Sequence, residues 1–495
     1  MTTLQTLLAL CVAVPVVGSL ALPALGKLSE GARNWAALLC VVFSMVCAFA
    51  LLPDVWQGGT TKLTLAGVDV LFADKLAVFM ALVSTSVGSV IVYYSWGYIA
   101  EFEHRNEYYF MVVLFLGSMM GLVFARNLIF LYLFWEITAL ACWRLIGFFR
   151  EKAYVLRADK AFLITVFGAV MMLLGFIDVG AQYGTFDLGK LQGKPVSDLA
   201  VTLMLFGILA KSATLPLHTW LPDAGVAPSP VTALLHAAVL VKIGVYVFAR
   251  LLVATFDVSP LWHEVVPWIA GASALVSACA ALIDTDMKRI IAYSTVSQIG
   301  FIFLGLATDN EMAVGGGLLY ILMHGIAKGG LFLCAGIVEH GTHTKDITKM
   351  GGLIKSMPIT AISFALCAFS VMGIPPFGGF FSKYLVITGA VTNGQLAVAL
   401  TFVFGAFLTI LYLFRVFTRI FLGEPGSAVA GHETHEGSRE MVISVATLAV
   451  LALVSGLLVT FPSQFAEKAA HEMRGRAGNA AALPQVKNHE MRASR

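Results

Sequence analysis

Several ionisable side chains of this sequence lie inside long apolar segments, where burial is costly. Glu136 lies in LYLFWEITALACWR, and Lys211 lies in GILAKSATLPLHTW. A charged side chain at the centre of a bilayer costs about 2.5–3.5 kcal/mol even on the milder insertion scale. Such residues therefore face a bundle interior, pair with each other or contact internal water. The candidate residues are Glu136, Lys211, Lys242, His324, Lys328 and Lys383, with His218, His236 and Arg144 as supporting polar residues.

This set of residue types predicts a proton relay. Lysine and histidine are the side chains that most readily bind and release protons when they are buried. His324 and Lys328 are four residues apart, so they share one face of a helix. On its own helix, Glu136 has only Arg144 as a charged neighbour, two turns away. Lys211, on another segment, is therefore its expected partner.

Structural roles are the alternative interpretation of these residues. A lysine close to a helix break, such as Lys383, can extend its ammonium group to the membrane surface. A single buried histidine is commonly a hydrogen-bonded core residue, and a buried ion pair can be purely structural. Five carboxylates and ammonium groups in a single chain are harder to explain in this way, so a relay is favoured.

Prolines interrupt two of the apolar segments. Pro216 lies in the seventh segment, and Pro375 and Pro376 lie in the twelfth. Non-helical backbone at membrane depth is tolerated only where protein or water satisfies it. The breaks fall in the fourth member of each of two five-helix sets, segments 4–8 and 9–13. Paired breaks of this kind indicate inverted repeats around an ion path.

The elements that carry these residues are predicted to be transmembrane helices. Of the 495 residues, 59% are hydrophobic and 12% are charged, and the mean hydropathy is +0.86. Soluble domains carry roughly 25% charged residues. Apolar runs of about 20 residues recur about 14 times, which predicts an all-α polytopic membrane protein. A short hairpin outside the membrane is expected over residues 56–74.

The cysteines and one histidine-containing loop bear on whether the chain binds metal. The seven cysteines contain no CxxC pair, so iron–sulfur and zinc sites are not expected. No metal site, cofactor or nucleic-acid partner is predicted. The loop GHETHEGSRE is interpreted as a solvated connection, with metal binding as the alternative.

Five regions are expected along the chain. Residues 1–107 would form three helices with the hairpin, and residues 108–254 and 255–422 the two repeats. Residues 423–462 would contain a final helix, and residues 463–495 a polar, disordered tail. Short loops on one face carry more lysine and arginine, which predicts that this face is cytoplasmic and both termini are outside.

Four longer stretches resemble a known family. KSATLPLHTWLPDAGVAPSPVTALLHAAVLVKIGVYVFARL, MKRIIAYSTVSQIGFIFLGLA, YILMHGIAKGGLFLCAGIVEH and GIPPFGGFFSKYLVITGA are similar to antiporter-like subunits of respiratory complex I. The same family includes membrane subunits of energy-converting hydrogenases and of Mrp-type sodium/proton antiporters. The resemblance covers roughly residues 60–460. It implies 14 core helices, with helices 7 and 12 discontinuous, and it assigns the relay to the residues named above.

The resemblance also implies a function. The expected protein is a proton-translocating subunit of a larger complex in a bacterial or archaeal cytoplasmic membrane. Membrane lipid, other membrane subunits and a peripheral redox arm would be its partners, and the redox centres would lie in other chains. The alternatives are a subunit of an Mrp-type sodium/proton antiporter, and a carrier of a small solute or inorganic carbon. The amino-acid sequence of the VAPSPVTALL stretch is most similar to the corresponding stretch of hydrogenase-associated members of the family.

Overall fold

The protein is an all-α polytopic membrane protein. The computed structural model describes residues 2–65, 67–431 and 433–481. Within these residues, 12 helical segments are long and apolar enough to cross a membrane. Two further apolar segments are interrupted, at the positions where the sequence predicts breaks. The all-α membrane architecture predicted from the sequence is therefore confirmed.

The uninterrupted helices follow the predicted segments closely. Their bounds are α1 (Thr3–Leu28), α2 (Glu30–Trp56), α3 (Lys75–Tyr98), α4 (Arg105–Val123), α5 (Leu128–Ile146), α6 (Lys152–Tyr183), α11 (Trp262–Ile283), α12 (Met287–Ala307), α13 (Glu311–Thr342), α16 (Leu396–Phe421) and α17 (Arg439–Leu457). Short polar side chains begin several of them: Asp74 accepts from the N–H of Ala77, and Asp286 accepts from that of Arg289. These bonds satisfy donors that the first helical turn leaves free.

The other helical segments are short or broken. They are α7 (Asp198–Lys211), α8 (Trp220–Asp223), α9 (Ser229–Ala233), α10 (Leu240–Phe248), α14 (Pro358–Met372) and α15 (Gly378–Thr392). The eighth membrane segment contains α9 and α10 together with two π-helical stretches, Leu234–Ala238 and Ala249–Val253. A π-helical stretch widens the helix locally and frees a carbonyl from the regular ladder.

The two predicted breaks are present. Residues 212–219 separate α7 from α8 and contain Pro216, and residues 373–377 separate α14 from α15 and contain Pro375 and Pro376. In each break one peptide bond before a proline is cis, Leu215–Pro216 and Pro375–Pro376. The breaks bring non-helical backbone next to the candidate relay residues.

The predicted hairpin is confirmed. Strands β1 (Thr61–Leu65) and β2 (Val68–Ala73) pair antiparallel, with Thr61 opposite Ala73 and Leu63 opposite Leu71. The N–H of Phe72 donates to the carbonyl of Phe124, which attaches the hairpin to the end of α4.

The predicted disordered tail needs a correction. Helix α18 (Thr460–Ala481) occupies most of this region, and residues 482–495 lie outside the described chain. Phe465, Ala469 and Met473 of α18 are buried, at spacings of four residues that place them on one helix face. Composition indicated disorder because the rest of the segment is polar. The small apolar stripe is sufficient for docking.

Candidate functional site

Lys211 ends the helix before the first break. Its side chain is fully buried. Its Nζ donates to the carbonyl of Trp135 at 3.0 Å and lies 4.9 Å from the centre of the Trp135 ring. The indole N–H of Trp220 donates to the carbonyl of Ala210 at 2.9 Å, which satisfies a carbonyl at the broken end of α7. The ammonium group is therefore held by a carbonyl and an aromatic face.

Glu136 is close to Lys211 but is not ion-paired with it. Both residues are described, and their charged atoms do not approach within 4.0 Å, although they interact electrostatically. Oε1 of Glu136 is buried and has no hydrogen-bond partner in the described chain. The expected direct pair is thus absent, and one carboxylate oxygen of Glu136 remains without a hydrogen-bond partner among the described residues.

Arg144 does not join this group. It pairs with Glu107 of α4, which also accepts from Arg150 at 2.6 Å. Arg144 lies two turns after Glu136 on α5 and bridges to α4 near the helix end. Its predicted supporting role near Glu136 is not reflected in its contacts.

Lys242 lies just after the first π-helical stretch. Its Nζ donates to the carbonyl of Ala237, and Ser84 donates to the neighbouring carbonyl of Ala238 at 3.0 Å. Lys242 also lies 3.2 Å from Nδ1 of His324. Because Lys242 and His324 are both fully buried, this contact connects two titratable groups from different halves of the chain.

Lys328 shares a helix with His324, as predicted, but has its own partners. Its Nζ donates to Ser294 Oγ at 2.6 Å and to the carbonyl of Ile291 at 3.1 Å, both on α12. The side chain is fully buried. No carboxylate pairs with this ammonium group among the described residues, so neutral oxygens alone solvate it.

Lys383 lies just beyond the second break. It is 4% exposed, and its Nζ donates to the carbonyl of Val371 at 2.7 Å. Val371 belongs to the last turn of α14, where carbonyls lack helical partners and the helix dipole favours a cation. The Phe301 ring lies 4.6 Å from Nζ. This burial contradicts the alternative in which Lys383 extends to the membrane surface.

The two remaining histidines differ in their surroundings. His236 lies in the first π-helical stretch and is fully buried, and neither ring nitrogen has a partner in the described chain. Its ring lies 4.3 Å from that of Phe332. His218 lies in the first break and is partly exposed. His218 is thus placed at the entrance to the break, and His236 is deep in the bundle.

Sequence reasoning missed two buried ion groups. Arg250 makes a bidentate pair with Asp74 at 2.7 and 2.8 Å, and both residues are 2% exposed. Lys288 pairs with Glu339 at 2.6 Å, and Lys345 approaches Glu339 from the other side. Arg250 and Lys288 lie at the ends of membrane segments, where the sequence gives no signal that separates a buried charge from an exposed one.

Metal ions in proteins require sets of ligand side chains that lie close together. Across the part of the chain that the structure describes, His, Cys, Asp and Glu side chains form no group of three or more that could hold an ion. In the GHETHEGSRE loop, Glu436 accepts from the N–H of Ile359 at 2.6 Å and from the hydroxyl of Thr360 at 2.6 Å. This carboxylate caps the start of α14.

Comparison with known families gives two matches. Residues 125–409 match the family described as NADH:quinone oxidoreductase/Mrp antiporter, TM. Residues 70–109 match the N-terminus of chain 5 of NADH-ubiquinone oxidoreductase (complex I). The first match covers more than half of the chain and includes every candidate relay residue.

Curated relatives are antiporter subunits. Na(+)/H(+) antiporter subunit A1 of Staphylococcus haemolyticus (strain JCSC1435) is 33% identical over 491 residues, which cover 92% of this chain and 61% of the relative. Subunit A1 of Staphylococcus aureus is 32% identical with the same coverage. The chain thus spans about three fifths of the length of these relatives.

Two solved structures share the fold. A chain of the Mrp complex from Dietzia sp. DQ12-45-1b superposes with a TM-score of 0.88 at 24% identity, covering 97% of this chain and 99% of that chain. A chain of the membrane-bound sulfane sulfur reductase, an archaeal respiratory membrane complex, gives 0.86 at 23% identity, covering 96% and 99%. At these identities the likeness concerns the fold.

Proposed function

The chain belongs to the NADH:quinone oxidoreductase/Mrp antiporter family of membrane subunits, and we propose that it translocates protons as an antiporter-like subunit of a larger membrane complex. The observation that carries this proposal is the contact between Lys242 and His324, 3.2 Å apart and fully buried. It joins Lys242 of the first predicted repeat to His324 of the second, and His324 in turn interacts electrostatically with Lys328 and Lys383.

The proposed cycle begins at Lys211. A carboxylate close to a buried ammonium group stabilises its charged form, and withdrawal of the carboxylate destabilises it. Glu136 interacts electrostatically with Lys211 and has a buried oxygen without a hydrogen-bond partner in the described chain, so its carboxylate can stabilise the charged lysine. When a neighbouring subunit draws Glu136 away, Lys211 releases its proton towards Lys242.

The proton then crosses between the two halves. A histidine can accept a proton on one ring nitrogen and release one from the other. Lys242 donates to Nδ1 of His324 while Nε2, which has no partner in the described chain, releases its proton onwards to Lys328 and Lys383. The break after α14 lets Lys383 deliver the proton to the opposite side of the membrane.

Two energy sources remain candidates for this subunit. The Na(+)/H(+) antiporter relatives favour sodium/proton exchange within an Mrp-type complex, and the fold is shared with a chain of a respiratory reductase complex. Redox chemistry, if it drives transport, belongs to partner subunits such as a peripheral arm. The proposed location is a bacterial or archaeal cytoplasmic membrane with both termini outside.

Transport by inside-out vesicles from the native membrane tests the proposal. Vesicles acidified by ATP hydrolysis receive NaCl, and a second set receives NADH, while a pH-sensitive dye reports the internal proton concentration. A response to NaCl supports sodium/proton exchange, and acidification on NADH supports a redox-driven pump. In either case Lys211→Ala should abolish the response at unchanged subunit abundance. Wild-type transport by Lys211→Ala would refute the relay.

A further inference from the structure

A buried polar cluster lies beside Lys328 and has no role assigned to it in the relay described above. It consists of Ser294 and Gln298 on α12, Tyr320 on α13, and Thr409 and Tyr412 on α16. All five side chains are at most 1% exposed. Burying so many polar groups is costly unless each finds a partner. Their hydrogen bonds can therefore be assigned by counting donors and acceptors.

Thr409 fixes the orientation of the Gln298 amide. The Thr409 hydroxyl donates to the carbonyl of Gly405 at 2.8 Å, so it can only accept from Gln298, whose Nε2 lies 3.0 Å away. With Nε2 on that side, Oε1 of Gln298 accepts from the hydroxyl of Tyr320 at 2.5 Å. A flipped amide would place Oε1 against the Thr409 oxygen, so that two acceptors face each other and the Thr409 oxygen loses its donor.

This orientation determines what Tyr412 does. Gln298 Nε2 donates to the Tyr412 oxygen at 3.4 Å, and the Tyr412 hydroxyl donates to Ser294 Oγ at 2.8 Å. Ser294 Oγ also accepts from Lys328 at 2.6 Å. A serine oxygen has two lone pairs and one hydrogen. Both lone pairs are occupied, and the hydroxyl hydrogen remains available to rotate.

Ser294 can therefore serve Lys328 in both protonation states. The ammonium form donates to Ser294 Oγ, as observed. After the proton has left, the amine nitrogen carries a lone pair, and the Ser294 hydroxyl can rotate to donate to it. Tyr412 continues to donate to Ser294 in both states, so the serine oxygen stays in place while only its hydrogen turns.

We propose that Ser294 is a positioning residue for Lys328, oriented by Tyr412 and Gln298, and that it keeps Nζ of Lys328 in one place while the proton arrives and leaves. This inference rests on the proposed function and extends it to α16. Without Ser294, the ammonium group retains only the carbonyl of Ile291, and the neutral amine loses the hydroxyl that would donate to it.

Ser294→Ala in the complete complex, assayed in the vesicles described above, tests the proposal. Hydrogen bonds to charged groups contribute enough that the transport rate should fall at least about tenfold. Ser294→Thr, which keeps the hydroxyl, should restore most of the rate. The pH dependence of transport should be displaced by Ser294→Ala, because Lys328 binds its proton in altered surroundings.

Ser297→Ala is the matched control. Ser297 lies one turn further along α12 and is equally buried, and its hydroxyl has no hydrogen-bond partner in the described chain. It should transport at the wild-type rate with an unchanged pH profile. Equal rates and profiles for Ser294→Ala and Ser297→Ala would overturn the proposal.

Two further variants distinguish a failure of the positioning role from a failure of the proton relay. If Ser294→Ala does not accumulate in the membrane, Tyr412→Phe tests the positioning role instead, because this variant removes only the hydroxyl that orients Ser294. A wild-type rate and pH profile for Tyr412→Phe would then overturn the inference. Lys328→Ala tests the relay itself. If Lys211→Ala and Lys328→Ala both transport normally, the proposed function fails, whereas their inactivity beside a normal Ser294→Ala variant refutes only the positioning role.

Discussion

Nζ of Lys242 and Nδ1 of His324 are 3.2 Å apart in a region that is fully buried. When Lys242 carries its proton, its ammonium group can only donate, so Nδ1 accepts and the ring hydrogen lies on Nε2. Nε2 is buried without a partner in the described chain. The pair therefore favours one histidine tautomer, in which Nδ1 is ready to receive a proton and Nε2 is ready to lose one.

Replacing His324 by Ala should interrupt transport between the two halves. General acid–base groups contribute about 10²–10⁴-fold to the steps they serve, so the rate of proton transport in vesicles should fall by at least about a hundredfold. His340→Ala is the control, because His340 lies near the end of the same helix and is partly exposed next to Glu101. Near-normal transport by His324→Ala would show that protons bypass this contact.

Lys383→Met should separate transport from stability. The methionine can pack against Phe301, and the cost of burying an ammonium group disappears, so the thermal midpoint of the complex should be unchanged or higher. Proton transport should nevertheless be lost, because the acceptor beyond the second break is gone. Tyr384→Phe provides the control, since Tyr384 is 58% exposed. A large loss of stability in Lys383→Met would indicate a structural role.

The membrane helices and both breaks could be predicted from the sequence because they depend on strong local signals. Long apolar runs exceed the length of a bilayer, and proline removes a backbone donor wherever it occurs. The hairpin was predictable because strand-forming and turn-forming residues are also local signals. Helix α18 was not, because its apolar stripe is short and its stability depends on contacts with α3 and α13, which no local pattern reveals.

The candidate site was predictable only in its charged residues. Lys242 and His324 stand out because charge inside an apolar run is costly. Ser294 and Tyr412 do not stand out, since serine and tyrosine are common in membrane helices. Their role can be recognised only from their position next to Lys328 in the structure. The contact of Arg144 with Glu107 of α4 could not be predicted either, because position along one helix does not identify a partner on another.

Asp74→Asn should strongly destabilise the protein by leaving Arg250 without its charged partner. Removing one member of a buried ion pair typically costs about 3–5 kcal/mol, which should appear as a lower thermal midpoint of the detergent-solubilised complex. Asp69→Asn is the control on the hairpin that precedes Asp74, where Asp69 is partly exposed and accepts from Thr64. The double variant Asp74→Leu/Arg250→Met should recover much of the loss. A midpoint for Asp74→Asn equal to that of Asp69→Asn would contradict the structural role of the pair.

Glu436→Ala should loosen the start of α14, the helix whose other end holds Lys383. Glu436 accepts from the N–H groups of Ile359 and Thr360, which the first turn cannot otherwise satisfy. Loss of a cap costs about 0.5–2 kcal/mol, so the thermal midpoint should fall moderately. Transport should fall less than in Lys383→Met, because the carbonyl of Val371 still faces Lys383.

Glu433→Ala is the matched control for the cap, since Glu433 lies in the same loop and is exposed. Glu436→Gln retains one carbonyl acceptor and should fall between Glu436→Ala and the wild type. If the loop bound a metal instead, a chelator would lower the midpoint of the wild type to that of Glu436→Ala. If it acts as a cap, the chelator leaves both midpoints unchanged, because the donors that Glu436 satisfies belong to the backbone of α14.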